Sequence, residues 1–533
     1  MPAPLPVRRA VSRAHDLKNG CVGPASVTVA PQEFPLLSID YAQGETDLNF
    51  VFFYTAPRGR RRRMHAGRVT TALLRAAQQF PALLGHLVCD SSAGWRIVVD
   101  PANINWPVVT EAHACDLTIA ALRRAGFAWT AWPPQARVAD LRTCESQPML
   151  GVHIVRYLCG GVSLHTKVRH QAMDGNGVWR FYDAWARASA DELRGYPAHT
   201  PPLPSHSFAT GSPLLDRRLL SDRLFPADSA AVTDAVAGDA VGVGRGRTKA
   251  TSSADVRGPG SEAASDSKAS ADAAHRYMDG LWRFLREATR CAQHLHAPTP
   301  EPHALHRFVL SGSSMERLKQ TFGNLAACSP AHMSFVRTHR IGFVSTNDLI
   351  CALFWRAIAR AHDARRPADP HTCIMIACDV RARVGAPLTY SGNASFPLLV
   401  HSTKAELAGQ TLTDTATHIR RHVAAVTPDL VALTADFMAS SESMQSLIAM
   451  FDPARAFFSA SIVSNFPMFA MGNFGFGRPV HVDVPDYLAP GFSIWMPTRG
   501  AENSVHVNLA LTDSVFALVE SDPEFRQFVD VAS

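Results

Sequence analysis

The sequence VSLHTKVRHQAMDGNGVWRFYDAWA, residues 162–186, changes its hydrophobic period in the middle. Up to Val168, apolar side chains alternate with polar ones, which predicts a strand. After Gly175 they recur at helical spacing, which predicts an amphipathic helix. His170 and Asp174 lie in the turn between the two elements. A strand that leads directly into a helix indicates a mixed α/β fold, and catalytic side chains are often displayed where such elements end.

The histidine in this turn is a candidate general base, because imidazole has the ordinary pKa that best suits proton transfer near neutral pH. A structural interpretation competes with this one. The chain contains 23 histidines, an Asp before a helix commonly caps it, and a Gly commonly serves a turn. A local motif needs its wider context before a role follows from it. Both interpretations of His170, Asp174 and Gly175 therefore stay open at this point.

The length of the chain favours two domains, because 533 residues exceed what one hydrophobic core usually supports. A hydrophobic content of 47% with 18% charged residues is typical of soluble globular proteins. No apolar run approaches the ~18 residues of a membrane-spanning helix, and the N-terminus lacks the apolar core of a signal peptide. We therefore expect a cytoplasmic protein.

The ten cysteines are scattered along the chain, and none forms a C-x-x-C pair. This spacing favours neither a zinc site nor a disulfide framework. We expect reduced thiols and no bound metal.

The net charge of +6 comes in part from a basic cluster at Arg58–Arg63. This cluster fits a solvated loop, a nuclear signal, or a surface that attracts anionic lipid or the phosphates of acyl-CoA. No nucleic-acid-binding motif accompanies it, so we expect no nucleic-acid partner. Peripheral membrane contact stays open.

The segment Ser229–Ala274 contains no aromatic residue and no Leu, Ile or Met. Such a composition buries too little apolar surface to offset its ordering entropy, which predicts disorder. We expect this insertion to lie in a crossover loop, residues 201–276, between a first domain at 1–200 and a second at 277–533. Strands and helices are predicted in both, including a long helix over 346–361.

A second motif near the C-terminus extends the pattern. The stretch Asn473–Pro479 reads NFGFGRP. An H-x-x-x-D-G motif near one third of a chain, followed late by such a box, resembles the BAHD acyltransferases and their fungal transferase relatives, whose motifs are HxxxDG and DFGWGKP. Further matches occur in the family's order, at residues 37–40, 51–54, 80–85, 345–357, 379–381 and 390–393.

The resemblance implies a mixed α/β fold with two chloramphenicol-acetyltransferase-like domains. Each would be a mixed β-sheet flanked by helices, with a solvent channel between the domains and His170 at its middle. The segment around 473–479 would pack back toward the first domain. We expect a monomer.

The resemblance also implies an acyl-CoA-dependent O-acyltransferase, with acetyl-CoA as the expected co-substrate and no permanently bound cofactor. His170 would take the proton of the acceptor hydroxyl and return it to the coenzyme A thiolate, with no covalent enzyme intermediate. The acceptor would be a secondary metabolite or a glycolipid, such as a mannosylerythritol lipid. Two alternatives remain: an N-acyltransferase or condensation-like enzyme, and a non-catalytic binding protein with this fold.

The family pattern suggests roles for the remaining motif residues. Asp174 would be a structural support that pairs with an arginine, and Arg381 would pair with the acidic residue of the box, which here is Asn473. Ser464 and Asn465, just upstream of the box, are candidates for the oxyanion donors, although a Ser-Asn pair also serves ordinary turns. The box itself would be a structural brace that includes Phe474, Gly475 and Gly477. The sequence assigns no residue to coenzyme A.

Overall fold

The computed structural model describes residues 29–36, 40, 46–56, 66–90, 94–114, 116–137, 148–194, 260–294, 301–439, 455–485, 488–500 and 504–532. The basic cluster at 58–63 and most of the predicted crossover, 201–259, lie outside these ranges.

Fifteen strands are named in this part of the chain: β1 Gln32–Pro35, β2 Asp47–Tyr54, β3 His86–Asp90, β4 Gly94–Val99, β5 Val108–Ala114, β6 Leu150–Tyr157, β7 Val162–Arg169, β8 His303–Leu310, β9 His371–Asp379, β10 Ser395–Thr403, β11 Ala456–Ile462, β12 His481–Asp483, β13 Ser493–Pro497, β14 Val505–Thr512 and β15 Asp530–Ala532.

The helices are α1 Ala66–Ala77, α2 Ile119–Arg124, α3 Pro134–Arg137, α4 Gly175–Arg194, α5 Gly260–His294, α6 Gly312–Phe322, α7 Pro330–Thr338, α8 Thr346–Arg365, α9 Lys404–Gly409, α10 Leu412–Ala424, α11 Pro428–Ala439, α12 Met468–Met471 and α13 Asp513–Ser521. Short 3₁₀ helices occupy Pro81–Leu84, Trp129–Ala131, Leu325–Ala327 and Phe525–Gln527.

A five-stranded sheet carries the HxxxDG turn. Its strand order is β12-β2-β7-β6-β5, and its central strand, β7, is buried along its whole length. The alternating residues of β7 explain the strand, because Leu164 and Val168 join the core beneath α4. Tyr182 of α4 fills that core and lies edge-on against Phe52 of β2, with 5.6 Å between the ring centroids.

A seven-stranded sheet occupies the later half of the chain, in the order β10-β9-β11-β13-β14-β8-β15. Strand β11 pairs in parallel with both β9 and β13, whereas the other pairs are antiparallel. Helix α8 packs against this sheet and begins with a capping box, in which Ser345 and Asp348 each accept from the other's backbone N–H. A third, small sheet has the order β1-β4-β3.

The two large sheets are linked by the segment that follows the NFGFGRP box. Strand β12 joins the edge of the first sheet, where His481 pairs with Phe53. Its Asp483 forms a buried ion pair with Arg307 of β8 in the second sheet. No helix in the described residues is both long and apolar enough to cross a membrane.

The predicted disorder of Ser229–Ala274 is wrong for its last fifteen residues, which belong to α5. Ala274 is buried in the core of the second sheet, and the Ser270 hydroxyl donates to the Asp429 carboxylate of α11 at 2.7 Å. Small side chains bury little area themselves, but they let two helices approach closely. A composition without large apolar residues therefore does not exclude such a contact. The rest of the predicted segment, 229–259, lies outside the described residues.

Two deletions should distinguish the contribution of residues 229–259 to stability from that of residues 260–274. Removing 229–259 should leave the melting temperature nearly unchanged, because that stretch lacks core-forming side chains. Removing 229–274 should lower the free energy of unfolding by about 1–3 kcal/mol, since it also strands the Asp429 carboxylate and uncovers the core at Ala274. Thermal and urea unfolding of both proteins measure the difference. Equal stability of the two deletions would show that the first turns of α5 contribute nothing.

Candidate active site

The backbone fixes His170 at the end of β7. Its N–H donates to the carbonyl of Thr46 at 3.1 Å, and the preceding Arg169 N–H donates to the carbonyl of Met149 at 2.8 Å. Both neighbouring segments therefore hold the strand up to the histidine. The His170 residue itself is half-buried.

The surroundings of the imidazole favour its neutral form. Burial lowers the pKa of His170 below the ordinary 6.5. Its own backbone carbonyl, the carboxylate of Asp174, the side-chain amide of Asn393 and the carboxylate of Asp40 each raise the pKa and offset part of that shift. The imidazole is therefore predominantly unprotonated at neutral pH, which is the form that can accept a proton.

The Asp174 carboxylate caps α4 and accepts hydrogen bonds from three groups of the surrounding structure. One of its carboxylate oxygens accepts from the Gly177 N–H at 2.9 Å and from the Arg381 guanidinium at 2.8 Å. The other accepts from the Ala394 N–H at 2.9 Å. With only 2% of its surface exposed, the Asp174 carboxylate is buried and is held by these three donors.

Arg381 is the cation behind this carboxylate, and its exposed fraction is 1%. Its guanidinium donates to the backbone carbonyls of Tyr390 and Gly392, both at 2.8 Å, and to the Asp379 carboxylate at 3.1 Å. Residues that follow β9 and precede β10 are thereby tied to the turn that follows β7.

The expected pairing of Arg381 with Asn473 is wrong. Arg381 pairs with Asp174 instead, because an ionised carboxylate is a stronger partner for a buried guanidinium than a neutral amide. Asn473 is exposed, and its side-chain oxygen accepts from the N–H of Gly477 at 3.0 Å within its own turn.

The box is held to the first sheet by aromatic packing. The ring of Phe474 stacks on Trp185 of α4 with 4.2 Å between centroids, and the Tyr54 hydroxyl donates to the Gly472 carbonyl at 2.6 Å. Gly475 and Gly477 have φ of 94° and 90°, a conformation that residues with a side chain rarely adopt.

The oxyanion candidates lie in the turn after β11, beside the start of α4. A Cβ added at Gly175 would lie 3.5 Å from the Phe466 ring and 3.9 Å from a methyl group of Val463, so this turn faces the helix N-terminus. Ser464 is half-buried and Asn465 is exposed. The Phe466 N–H donates to the Val463 carbonyl at 3.0 Å, as in an ordinary turn, so their role remains a prediction.

Two residues beside His170 received no role from the sequence. The Asn393 amide nitrogen donates to the His170 carbonyl and to the Asp40 carboxylate, both at 2.8 Å. Both side chains are buried, at 0% and 1% exposure. The match of residues 390–393 to a family motif was the available signal, but it did not reveal which atoms meet.

The chain as a whole is similar to proteins of a known family. The chain matches the model of the Transferase family over residues 17–526. It belongs to that family. The resemblance to BAHD enzymes is confirmed.

Relatives of the chain include fungal enzymes. O-acyltransferase pigD of Monascus ruber is 23% identical over 273 residues, which cover 48% of this chain and 58% of pigD. Trichothecene 3-O-acetyltransferase of Saccharomyces cerevisiae is 26% identical over 197 residues, which cover 35% of this chain and 40% of that protein. The matches thus span about half the length of these two relatives.

Solved structures of the Transferase family show the same fold. The crystal structure of F. graminearum TRI101 complexed with coenzyme A and deoxynivalenol superposes with a TM-score of 0.64 at 17% identity. The alignment covers 94% of this chain and 100% of that one. The predicted fold class, a mixed α/β structure of the two-domain chloramphenicol-acetyltransferase type, is confirmed.

In the first turn of α4, directly after the HxxxDG motif, Gly177 is the position that has no room for a side chain. A Cβ there would overlap the Ser391 carbonyl oxygen and lie 2.8 Å from the Cβ of Met173. At Gly175 the same addition would meet only ordinary van der Waals contacts.

Gly177→Ala should therefore destabilise the protein by about 1–3 kcal/mol or more through overpacking. Gly175→Ala, the matched control in the same helix turn, should change stability by less than about 0.5 kcal/mol. Urea unfolding of the two variants decides between them. A stable Gly177→Ala protein would mean that β9–β10 and α4 do not approach each other this closely.

Proposed function

We propose that this protein is an acyl-CoA-dependent O-acyltransferase with His170 as its general base. The observation that carries the proposal is a histidine fixed at the end of a buried strand and held by residues from both large sheets. The same two sheets, with their helices, correspond to the domains that we assign to residues 1–200 and 277–533, except that β12 of the later segment joins the first sheet.

The proposed reaction needs one proton acceptor. Nε2 of His170 takes the proton of the acceptor hydroxyl. The hydroxyl oxygen attacks the thioester carbonyl carbon at the same time, and a C–O bond forms. Collapse of the tetrahedral intermediate breaks the C–S bond, and the imidazolium returns the proton to the coenzyme A thiolate. Such general acid–base help typically contributes 10²–10⁴-fold.

Other residues assist without exchanging protons. Ser464 and Asn465 are the proposed donors to the oxyanion, since their turn faces the start of α4. Asp174 and Arg381 keep the loop of His170 in place. We infer that acetyl-CoA is the donor and that the acceptor is a hydroxylated secondary metabolite or glycolipid. TRI101 of F. graminearum, whose fold this chain shares, was crystallised with coenzyme A and deoxynivalenol.

The test is release of coenzyme A thiol from acetyl-, malonyl- and longer acyl-CoA. Each donor is offered deoxynivalenol, a mannosylerythritol lipid, tryptamine and, as a broad acceptor mixture, a fungal extract, and the products are identified by mass spectrometry. An ester product supports the proposal. An amide formed only with tryptamine would indicate N-acyl transfer, and the absence of any transfer with a broad acceptor extract would favour a binding protein.

His170→Ala should lower kcat by on the order of 10²–10⁴-fold, because it removes the only proposed proton acceptor. The KM for acyl-CoA should change little. His113→Ala is the control, since His113 is exposed on β5 and should retain full turnover. Near wild-type turnover of His170→Ala would refute the assignment of the base.

A further inference from the structure

Two buried polar atoms at the proposed base lack a hydrogen bond of normal geometry, one in the imidazole ring itself and one in a neighbouring side chain. They are Nδ1 of His170 and Oδ1 of Asn393, and neither finds a partner of normal geometry in another described residue. A buried polar atom without a partner destabilises the folded protein. The amide of Asn393 nevertheless lies close enough to the imidazole to raise the pKa of His170.

The orientation of the Asn393 amide follows from its other contacts. One end of the amide faces the His170 carbonyl and the Asp40 carboxylate, each at 2.8 Å. Both of these groups are acceptors, so this end must be the NH₂ group, and both of its hydrogens are used. The other end is therefore the carbonyl oxygen, which can only accept.

The imidazole then has one favourable tautomer. Nδ1 of His170 and Oδ1 of Asn393 are both buried without a partner, and they belong to two residues that are in direct contact. Since Oδ1 can only accept, the two atoms satisfy each other when Nδ1 carries the proton. A ring nitrogen that faces acceptors carries the proton, which leaves the lone pair on the other ring nitrogen. Nε2 is thus free to accept a proton from a substrate.

We propose that Asn393 and Asp40 are positioning residues for the base: Oδ1 of Asn393 accepts the Nδ1–H of His170, while Asp40 holds the amide through its NH₂ group. This proposal rests on the proposed function, since it concerns the residue assigned as the base. The chain of contacts runs from Asp40 through Asn393 to His170. It brings together a residue before β2 and a residue before β10, which are more than 350 positions apart in the sequence.

Two carboxylates act on the charge of His170, and their circumstances differ. Asp174 is paired with Arg381 at 2.8 Å and still raises the pKa of His170, by more than Asp40 does. Asp40 reaches the imidazole through a neutral amide and stabilises the imidazolium, which raises the pKa of His170. Removal of the Asp40 charge should therefore lower that pKa further.

The experiment measures the ring itself, so that its result does not depend on turnover. Protein labelled with ¹⁵N-histidine is titrated, and the His170 signals are identified by their absence in His170→Gln. Asp40→Asn keeps an acceptor in place but removes the charge. Asn393→Ala removes the amide. Asp183→Asn, a carboxylate of α4 paired with Arg187, is the matched charge control.

We expect wild-type His170 to carry its proton on Nδ1 in the neutral form. Asp40→Asn should lower the pKa of His170 and shift the acid limb of the kcat/KM profile to lower pH. Asn393→Ala should give a mixture of tautomers and lower kcat by about 10–100-fold, with little change in KM. Asp183→Asn should alter none of these quantities.

An unchanged tautomer in Asn393→Ala and an unmoved pKa in Asp40→Asn would overturn the proposal. If Asn393→Ala does not fold, the pKa of His170 in Asp40→Asn alone decides whether the proposal stands. Loss of transfer in His170→Ala with unaffected ring signals in the other variants would refute the positioning role and leave the proposed function intact. Absence of any acyl transfer would refute the proposed function, whereas the ring titration would still decide the positioning role.

Discussion

The buried ion pair between Asp174 and Arg381 is the contact on which the candidate site depends. Each charge would cost several kcal/mol to bury alone, and removal of one partner of such a pair typically destabilises by 3–5 kcal/mol. Here the cost is offset by a 2.8 Å contact and by further hydrogen bonds of both groups to the backbone around them. The carboxylate also caps α4, and the guanidinium also holds the backbone before β10. One pair therefore sets the position of a helix, of a loop and of the histidine between them.

This arrangement would suit the proposed base, because it holds His170 rigidly without fixing its charge. Burial lowers the pKa of His170, whereas the nearby carboxylates raise it. A base that also returns its proton to a thiolate must not bind the proton too tightly or too weakly. Because Asp174 is paired with Arg381, its charge contributes less than that of an isolated carboxylate would. The fold can thus place two carboxylates near an imidazole without protonating it permanently.

Local periodicity predicted the elements well, because residues close in sequence determine them. The strand expected over 162–168 is Val162–Arg169, and the helix expected over 346–361 is Thr346–Arg365 with its capping box. Contacts between segments that lie far apart in the sequence could not be predicted as well. Nothing in the sequence decides whether Arg381 meets Asp174 or Asn473, and the tight approach of Ser391 to Gly177 depends on how two sheets pack. The contact of Asn393 with Asp40 and His170 also needs three separate segments.

The replacement of the family's aspartate by Asn473 becomes understandable in these terms. A buried arginine would lose a charged partner if it depended on that position, but Arg381 already has Asp174. Asn473 needs only to accept one backbone N–H within an exposed turn, which an amide oxygen does as well as a carboxylate. The box is anchored by the stacking of Phe474 on Trp185 and by two glycines with positive φ. Since none of these features requires a charge at position 473, the asparagine is compatible with the anchored box and with the proposed role of His170.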